Sequence, residues 1–233
     1  YRLPSNIGTK RIIPSQLHML DEMFPGTFLN RDPRLNKGLI APRSPCPVLL
    51  GIRAESSEEA ESAWQWLSAQ EGIEEHEDAM LWRTNQACDD HIESSIEAVL
   101  LTNPTIREKG HCSAQTNKGE VVAFAEGGYV NKLLQKCVEG DEIEFIGLKF
   151  EGVYHLERLR LLKPVLRNKK RPLCECGVRM KSKGVGQLVK CPGCKTTTEI
   201  QWIGDTVGPI DWVEPAGDRR RHLAAPLSRM QKS

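Results

Sequence analysis

The rhythm of apolar and polar positions changes three times along the chain. Residues 1–46 are rich in Pro, Gly and Asn and show few clear periods, with short apolar pieces such as 17–20, so irregular structure leaning on a neighbour is expected there. The run Pro47-Val48-Leu49-Leu50-Gly51-Ile52-Arg53 reads as a buried strand. Ser56 followed by Glu59 predicts a capping box opening a helix, on which Ala60, Trp64 and Leu67 share one face. A second strand is expected at 80–82, which makes a strand–helix–strand unit of the ferredoxin-like α/β kind.

From about Ser94 the period shortens to that of strands. Runs at 96–101, 110–115, 121–125, 142–146 and 154–162, with a helical piece at 129–138 between the third and fourth, follow the element order of a five-stranded OB-fold β-barrel. The turn Glu139-Gly140-Asp141 leads into alternating Ile143 and Phe145 and so starts the fourth strand. A basic linker at 164–172, a cysteine module ending near Ile203 and a Pro- and Gly-rich stretch at 204–217 complete the chain. The fold class expected is therefore α+β multidomain.

Composition adds two facts. No apolar run approaches the roughly 18 residues that span a bilayer, and there is no secretory pattern, so no membrane association and a cytoplasmic location are expected. The formal net charge of +1 conceals segregation: between Lys163 and Lys195 ten basic residues face the single acid Glu175, whereas residues 71–78 hold five acids and no Lys or Arg. Charge separated in this way points to a polyanion partner for the C-terminal half.

The eight cysteines divide into four that stand alone (Cys46, Cys88, Cys112, Cys137) and two tight pairs. Cys174, Cys176, Cys191 and Cys194 form two short turns about fifteen residues apart, the spacing of a zinc ribbon. Four thiolates suit a structural zinc ion and close its shell against catalysis. The first pair is Cys-x-Cys, one residue shorter than the usual knuckle.

An OB-fold beside a basic ribbon makes a groove for single-stranded or looped nucleic acid. Candidate phosphate contacts are Lys169, Lys170, Arg171, Lys181, Lys183, Arg219, Arg220 and Arg221, and candidate stacking residues are Phe124, Tyr129 and Phe145. The competing reading packs the aromatics in the barrel and leaves the basic residues as a solvated face.

Four stretches occur in one order around the barrel: SPCPVLLGIRAES at 44–56, RTNQACDDH at 83–91, CGVRMKSKGVGQ at 176–187 and RRHLAAPLSRM at 220–230. Together they resemble the C-terminal portion of the archaeal tRNA-isoleucine 2-agmatinylcytidine synthetase family. The resemblance implies an ATP-dependent ligase that joins agmatine to the wobble cytidine of tRNA-isoleucine. It implies a ferredoxin-like, agmatine-binding-type domain at 1–93, an OB-fold nucleic-acid-binding domain at 94–165, a zinc ribbon at 170–203 and a basic tail at 204–233. ATP and Mg would be bound mainly by a kinase-like N-terminal domain, in cis or trans, that this sequence lacks. The anticodon arm and agmatine are the implied partners.

For agmatine, a planar guanidinium needs a carboxylate fork and its amine must lose a proton. The resemblance offers Arg53, Glu55, Asn85 and Asp89 as substrate-binding candidates, Asp90 as a further carboxylate, and His91 as catalytic base. Ala54 stands for the family's glycine and Cys88 for its threonine. The rival expectation, a non-catalytic OB-fold and zinc-ribbon subunit for single-stranded nucleic acid, accounts for 94–203 and leaves the first 93 residues without a task.

Overall fold

The computed structural model describes residues 1–32, 37–90, 92, 94–182, 184, 188–220 and 224–230. They partition into two compact units: the first takes Tyr1–Ile92, Glu126–Tyr129 and Glu214–Ser233, the second Glu93–Ala125 and Val130–Val213. The architecture is mixed α and β, with one large sheet and a small cysteine-bearing ribbon. Among the described residues no helix is long and apolar enough to cross a membrane.

The first unit is built round helix α1 (Ser57–Ser68). The Ser56 hydroxyl accepts from the Glu59 amide at 3.1 Å, which satisfies one of the donors a helix start leaves open. The return half of the expected capping box is not made. The Glu59 carboxylate instead accepts from the Gly26 amide at 2.6 Å, and a side chain on Gly26 would collide with it. Ala63 and Leu67 on the inner face are fully buried against Leu20 and Ile40, while Trp64 meets His76 edge-on, 4.9 Å between ring centres.

The strands expected at 47–53 and 80–82 do not form. Hydrogen bonds of the first run go to scattered partners: the Gly51 amide to the Ile40 carbonyl at 2.8 Å, the Arg53 amide to Asn30 Oδ1 at 3.1 Å, the Arg53 carbonyl from the Phe28 amide at 3.0 Å. The Arg11 guanidinium also donates to the carbonyls of Pro42, Ser44, Cys46 and Val48 at 2.9 to 3.0 Å. A side chain thus satisfies backbone groups that a ladder would otherwise pair. Met80, Leu81 and Trp82 are more than half exposed and bury no face.

Arg2 and Glu74, both buried, close the N-terminal segment with a two-bond fork of 2.5 and 2.9 Å, and the Ile12 amide adds a third bond to the carboxylate at 3.1 Å. The Arg2 hydrogen bond outweighs burial and holds the Glu74 carboxyl below its ordinary value. A carboxyl depressed in the folded state contributes stability that is complete above the unfolded carboxylate range and is lost as pH falls through the depressed value. Thermal melts should therefore show the first unit weakening below about pH 4. Glu74→Gln should flatten that part of the curve, and an identical acid slope in the variant would disconnect this pair from acid stability.

The second unit centres on strands β1 (Ile96–Val99), β2 (Cys112–Thr116) and β3 (Gly119–Ala123), helix α2 (Tyr129–Lys136), and strands β4 (Glu142–Phe150) and β5 (Val153–Lys163). All five runs read from the alternation are strands, and the helix falls between the third and fourth. Their order is β1-β4-β5-β3-β2, with β3 and β5 parallel. Leu100, just past β1, bridges Thr116 at the end of β2, and the Leu101 amide reaches the Gln115 carbonyl at 2.8 Å, so the two ends of this order meet. β4 coils at a bulge between Ile146 and Gly147, where an added Cβ would lie 2.5 Å from the His155 carbonyl. Val121, Leu134, Ile143, Phe145 and Leu159 are fully buried inside.

Among the described residues the sheet has seven strands rather than five. A short strand at Thr105–Ile106 pairs with β2, and a late one pairs with β5. The rest of the second unit holds β6 (Arg167–Lys170), β7 (Lys181–Ser182), β8 (Val189–Lys190), β9 (Thr197–Thr198), β10 (Ile203–Asp205) and that late strand, β11 (Ile210–Val213). The expected linker at 164–172 is therefore partly strand, β6 pairing with β10, and the stretch at 204–217 supplies β11.

Asp141 joins barrel and linker. It is fully buried, and its carboxylate accepts four bonds: from the Val138 and Val165 amides, both at 2.9 Å, and from both terminal nitrogens of Arg167 at 2.7 and 2.6 Å.

Candidate metal centre and nucleic-acid interface

The four sulfurs of Cys174, Cys176, Cys191 and Cys194 lie within 4.8 Å of one another, with 3.4 Å between Cys174 and Cys194 and between Cys176 and Cys191. Zinc–sulfur bonds of about 2.3 Å in a tetrahedron place sulfurs about 3.8 Å apart, so this donor set fits a zinc ion. The short first pair is accommodated by a tight turn. The Gly177 amide bonds the Cys174 carbonyl at 2.8 Å, the Cys174 amide bonds the Val178 carbonyl at 2.9 Å, and Gly177 takes φ 81°. β7, β8 and β9 form the antiparallel sheet behind the second pair. Thr196, whose hydroxyl lies 3.2 Å from the sulfur, pulls the Cys194 thiol down to about 6, and the Cys194 backbone amide lowers Cys191. A lowered thiol pKa favours the thiolate form that ligates a metal. In contrast, burial pushes Cys112 up to about 11 and Cys137 up to about 12, which leaves them inert.

Lys169, Lys170, Arg171 and Lys181 are all exposed. Lys181 stands directly across the β7–β8 ladder from Lys190, two like charges on neighbouring strands. Such a pair is destabilising in the free protein. Arg219 is also exposed, but Arg220 is not a free cation: its side chain is 3 % exposed and paired with Glu214 at 2.7 Å. The tail therefore does not present three open arginines, because the run of like charge hides a counter-ion six residues upstream. Lys183 and Arg221 lie outside the described residues.

Phe145 is core, packed at 5.2 Å on Tyr154, and offers nothing to a base. Phe124 is half-buried between the rings of His111 and His155, at 5.1 and 5.0 Å, while Tyr129 remains half-exposed. Among the described residues Phe150, 55 % exposed beside His155 at the β4–β5 turn, is an exposed aromatic ring that the stacking candidates did not include. The turn signal Glu151-Gly152 marked its place.

In the first unit the substrate candidates separate. Glu55 is paired with Arg229 at 2.5 Å, and the Arg229 guanidinium lies 4.4 Å over the Phe28 ring and donates to the Ala87 carbonyl. Asp89, in left-handed backbone at φ 62°, accepts from the Ala225 amide at 2.7 Å. Both carboxylates are thus engaged by the C-terminal segment. Asn85 is exposed, its carbonyl accepting from the Cys88 thiol at 2.7 Å. Arg53 donates to Gln86 Oε1 at 3.2 Å and to the Leu29 carbonyl at 3.5 Å. His91 lies outside the described residues.

A closed sheet and a four-sulfur ribbon in one chain define a mixed α+β protein with a structural zinc-ribbon domain. The profile of the TiaS FLD domain matches residues 1–91 and that of the TiaS C-terminal zinc ribbon domain matches residues 171–203. The chain belongs to the TiaS family. It is 30 % identical over its whole length to the isoleucine-tRNA 2-agmatinylcytidine synthetase TiaS of Cenarchaeum symbiosum, covering 58 % of that protein. The corresponding Archaeoglobus fulgidus protein is 29 % identical over 99 % of the chain, with 59 % of its own length covered. The solved complex of TiaS with its isoleucine tRNA and ATP superposes on 99 % of the chain with a TM-score of 0.72 at 28 % identity, 59 % of that chain being covered. The complex of TiaS with the same tRNA, AMPCPP and agmatine does so with the same TM-score at 26 % identity, with 58 % of that chain covered. The chain thus spans under three fifths of the length of these relatives.

Proposed function

We propose that the chain is the tRNA-holding and agmatine-side portion of a cytoplasmic, ATP-dependent ligase that converts the wobble cytidine of tRNA-isoleucine to 2-agmatinylcytidine. The observation that carries this reading is the match of nearly the whole chain to a solved complex of TiaS with its tRNA and ATP. In this reading the closed sheet is an OB-fold barrel, the first unit is the ferredoxin-like domain on the agmatine side, and ATP and Mg are held mainly by a kinase-like domain. A non-catalytic single-strand-binding subunit would leave residues 1–91, which match the TiaS FLD domain, without a role.

The ribbon lysines give the reading its electrostatics. Lys181 and Lys190 repel each other across two strands, and a phosphate between them would turn that repulsion into two attractions. Lys169, Lys170 and Arg171 extend the cationic surface of the same unit, in which Phe150 is an exposed ring for stacking; Arg219 is an exposed cation of the first unit. Agmatine's guanidinium falls to Glu55 and Asp89, with Asn85 nearby and His91 as base. Arg229 already brings a guanidinium to Glu55, so agmatine would compete with it there.

The test is tRNA affinity against salt. Each lost phosphate contact lowers the slope of log affinity against log salt by about 0.9. Lys181→Gln with Lys190→Gln should weaken tRNA binding at low salt and flatten the slope by about 0.9, for the one phosphate that the pair shares. Unchanged affinity and slope would remove the ribbon from the RNA interface.

A further inference from the structure

A cavity of about 360 Å³ lies within the first unit, between the segments that carry Arg53 and the returning residues Gly217 to Arg220. Its size suits a small organic ligand rather than a bare ion. Leu29, Leu39 and Ala41 give it an apolar wall, and Arg43, Arg53 and Arg220 give it charge. Among the described residues two carboxylates answer those three arginines: Asp218 holds Arg43 at 2.6 Å and Glu214 holds Arg220 at 2.7 Å. The charge left over is that of Arg53, whose hydrogen-bond acceptors are neutral, Gln86 Oε1 and the Leu29 carbonyl. A half-buried guanidinium without an anion bears a desolvation cost that an anionic ligand relieves. Burial accordingly lowers the Arg53 guanidinium below its ordinary value.

We propose that this cavity binds a nucleotide, its phosphate on Arg53 and its ring against Leu29, Leu39 and Ala41. Arg53 is then a phosphate ligand and not a contact for agmatine, whose two positive charges the cavity repels. The choice of a phosphoryl group over a carboxylate rests on the proposed RNA function; the anionic character of the ligand does not. Arg43 stands at the rim with its side chain 64 % exposed and adds a second, adaptable donor.

The test titrates the full zinc-loaded chain with inorganic phosphate, cytidine monophosphate, acetate and agmatine. Phosphate and cytidine monophosphate should bind, and Arg53→Gln should weaken both about tenfold or more, the loss expected for a charge-assisted bond. Arg43→Gln is the second variant, because its side chain is 64 % exposed and its one charged contact in the cavity lining is with Asp218. It should weaken both ligands severalfold by taking a cationic donor from the rim. Displacement of cytidine monophosphate by an anticodon stem-loop supports a nucleotide of the RNA as the source, and displacement by ATP alone supports a free nucleotide. Wild-type affinity for phosphate in both variants, or tighter binding of acetate or agmatine than of phosphate, overturns the proposal. Neither result bears on the ribbon lysines, whose tRNA titration stands or falls separately.

Discussion

Removal of zinc with a chelator is expected to unfold the ribbon at 171–203 outright. Among the described residues, the buried ones packed there are Met180, Val189 and Cys191, with Cys174 and Ile200 partly covered against them. Three buried side chains cannot balance the conformational entropy of some thirty ordered residues at about 1–2 kcal/mol each. A four-sulfur zinc site contributes an apparent ~10–16 kcal/mol of binding free energy, which in a small domain is folding free energy. Loss of the ion should therefore abolish amide protection at Val189, Cys191 and Lys195 while protection in β4 and β5 persists. Cys191→Ser should reproduce the effect, since its sulfur sits in the ribbon core. Metal analysis should return one zinc per chain for the wild type. Undiminished hydrogen-exchange protection after chelation would mean that the metal is dispensable for the ribbon.

The second large effect is expected at Asp141. Asp141→Ala strands Arg167, 14 % exposed, beside two amides that lose their acceptor. Breaking a buried, hydrogen-bonded ion pair from one side costs about 3–5 kcal/mol, mostly because the remaining charge is uncompensated. The midpoint of urea unfolding for the barrel should fall accordingly. Adding Arg167→Met should recover part of the loss, because the orphaned cation is then gone. A single-variant cost below about 1 kcal/mol would show that water replaces the carboxylate without penalty.

How much of this was legible in the sequence varied with the range of the interaction. The barrel strands were readable because alternation places Ile143 and Phe145 inward, and both are fully buried. The metal centre was readable because its ligands come in pairs close in sequence. The first unit was opaque for the opposite reason. An apolar run at 47–53 looks like a strand, yet whether it pairs depends on Arg11, more than thirty residues away, which occupies the carbonyls around it. The run 80–82 is equally apolar and stays on the surface.

The substrate candidates show the same limit. Glu55 and Asp89 could be recognised as acids beside a turn, but their partners, Arg229 and the Ala225 amide, are 174 and 136 positions further on. The basic triplet at 219–221 looks open because a charge run has no visible counter-ion, while Glu214 holds Arg220 in the fold. The cationic surplus of the proposed pocket could not have been foreseen from Arg53 alone, since it depends on which arginines already have acids.

The path of the chain has a consequence for biosynthesis. Residues 1–92 and 214–233 belong to one unit, with the other unit threaded between them in sequence. Ala224, Ala225 and Pro226, all buried, leave the ribosome more than a hundred residues after the surfaces of Tyr1–Ile92 have emerged. Of the two units, the one begun earlier is therefore finished later, and a nascent chain arrested near Val213 would hold the large sheet complete and the first unit unfinished, an arrangement exposed to chaperones and proteases.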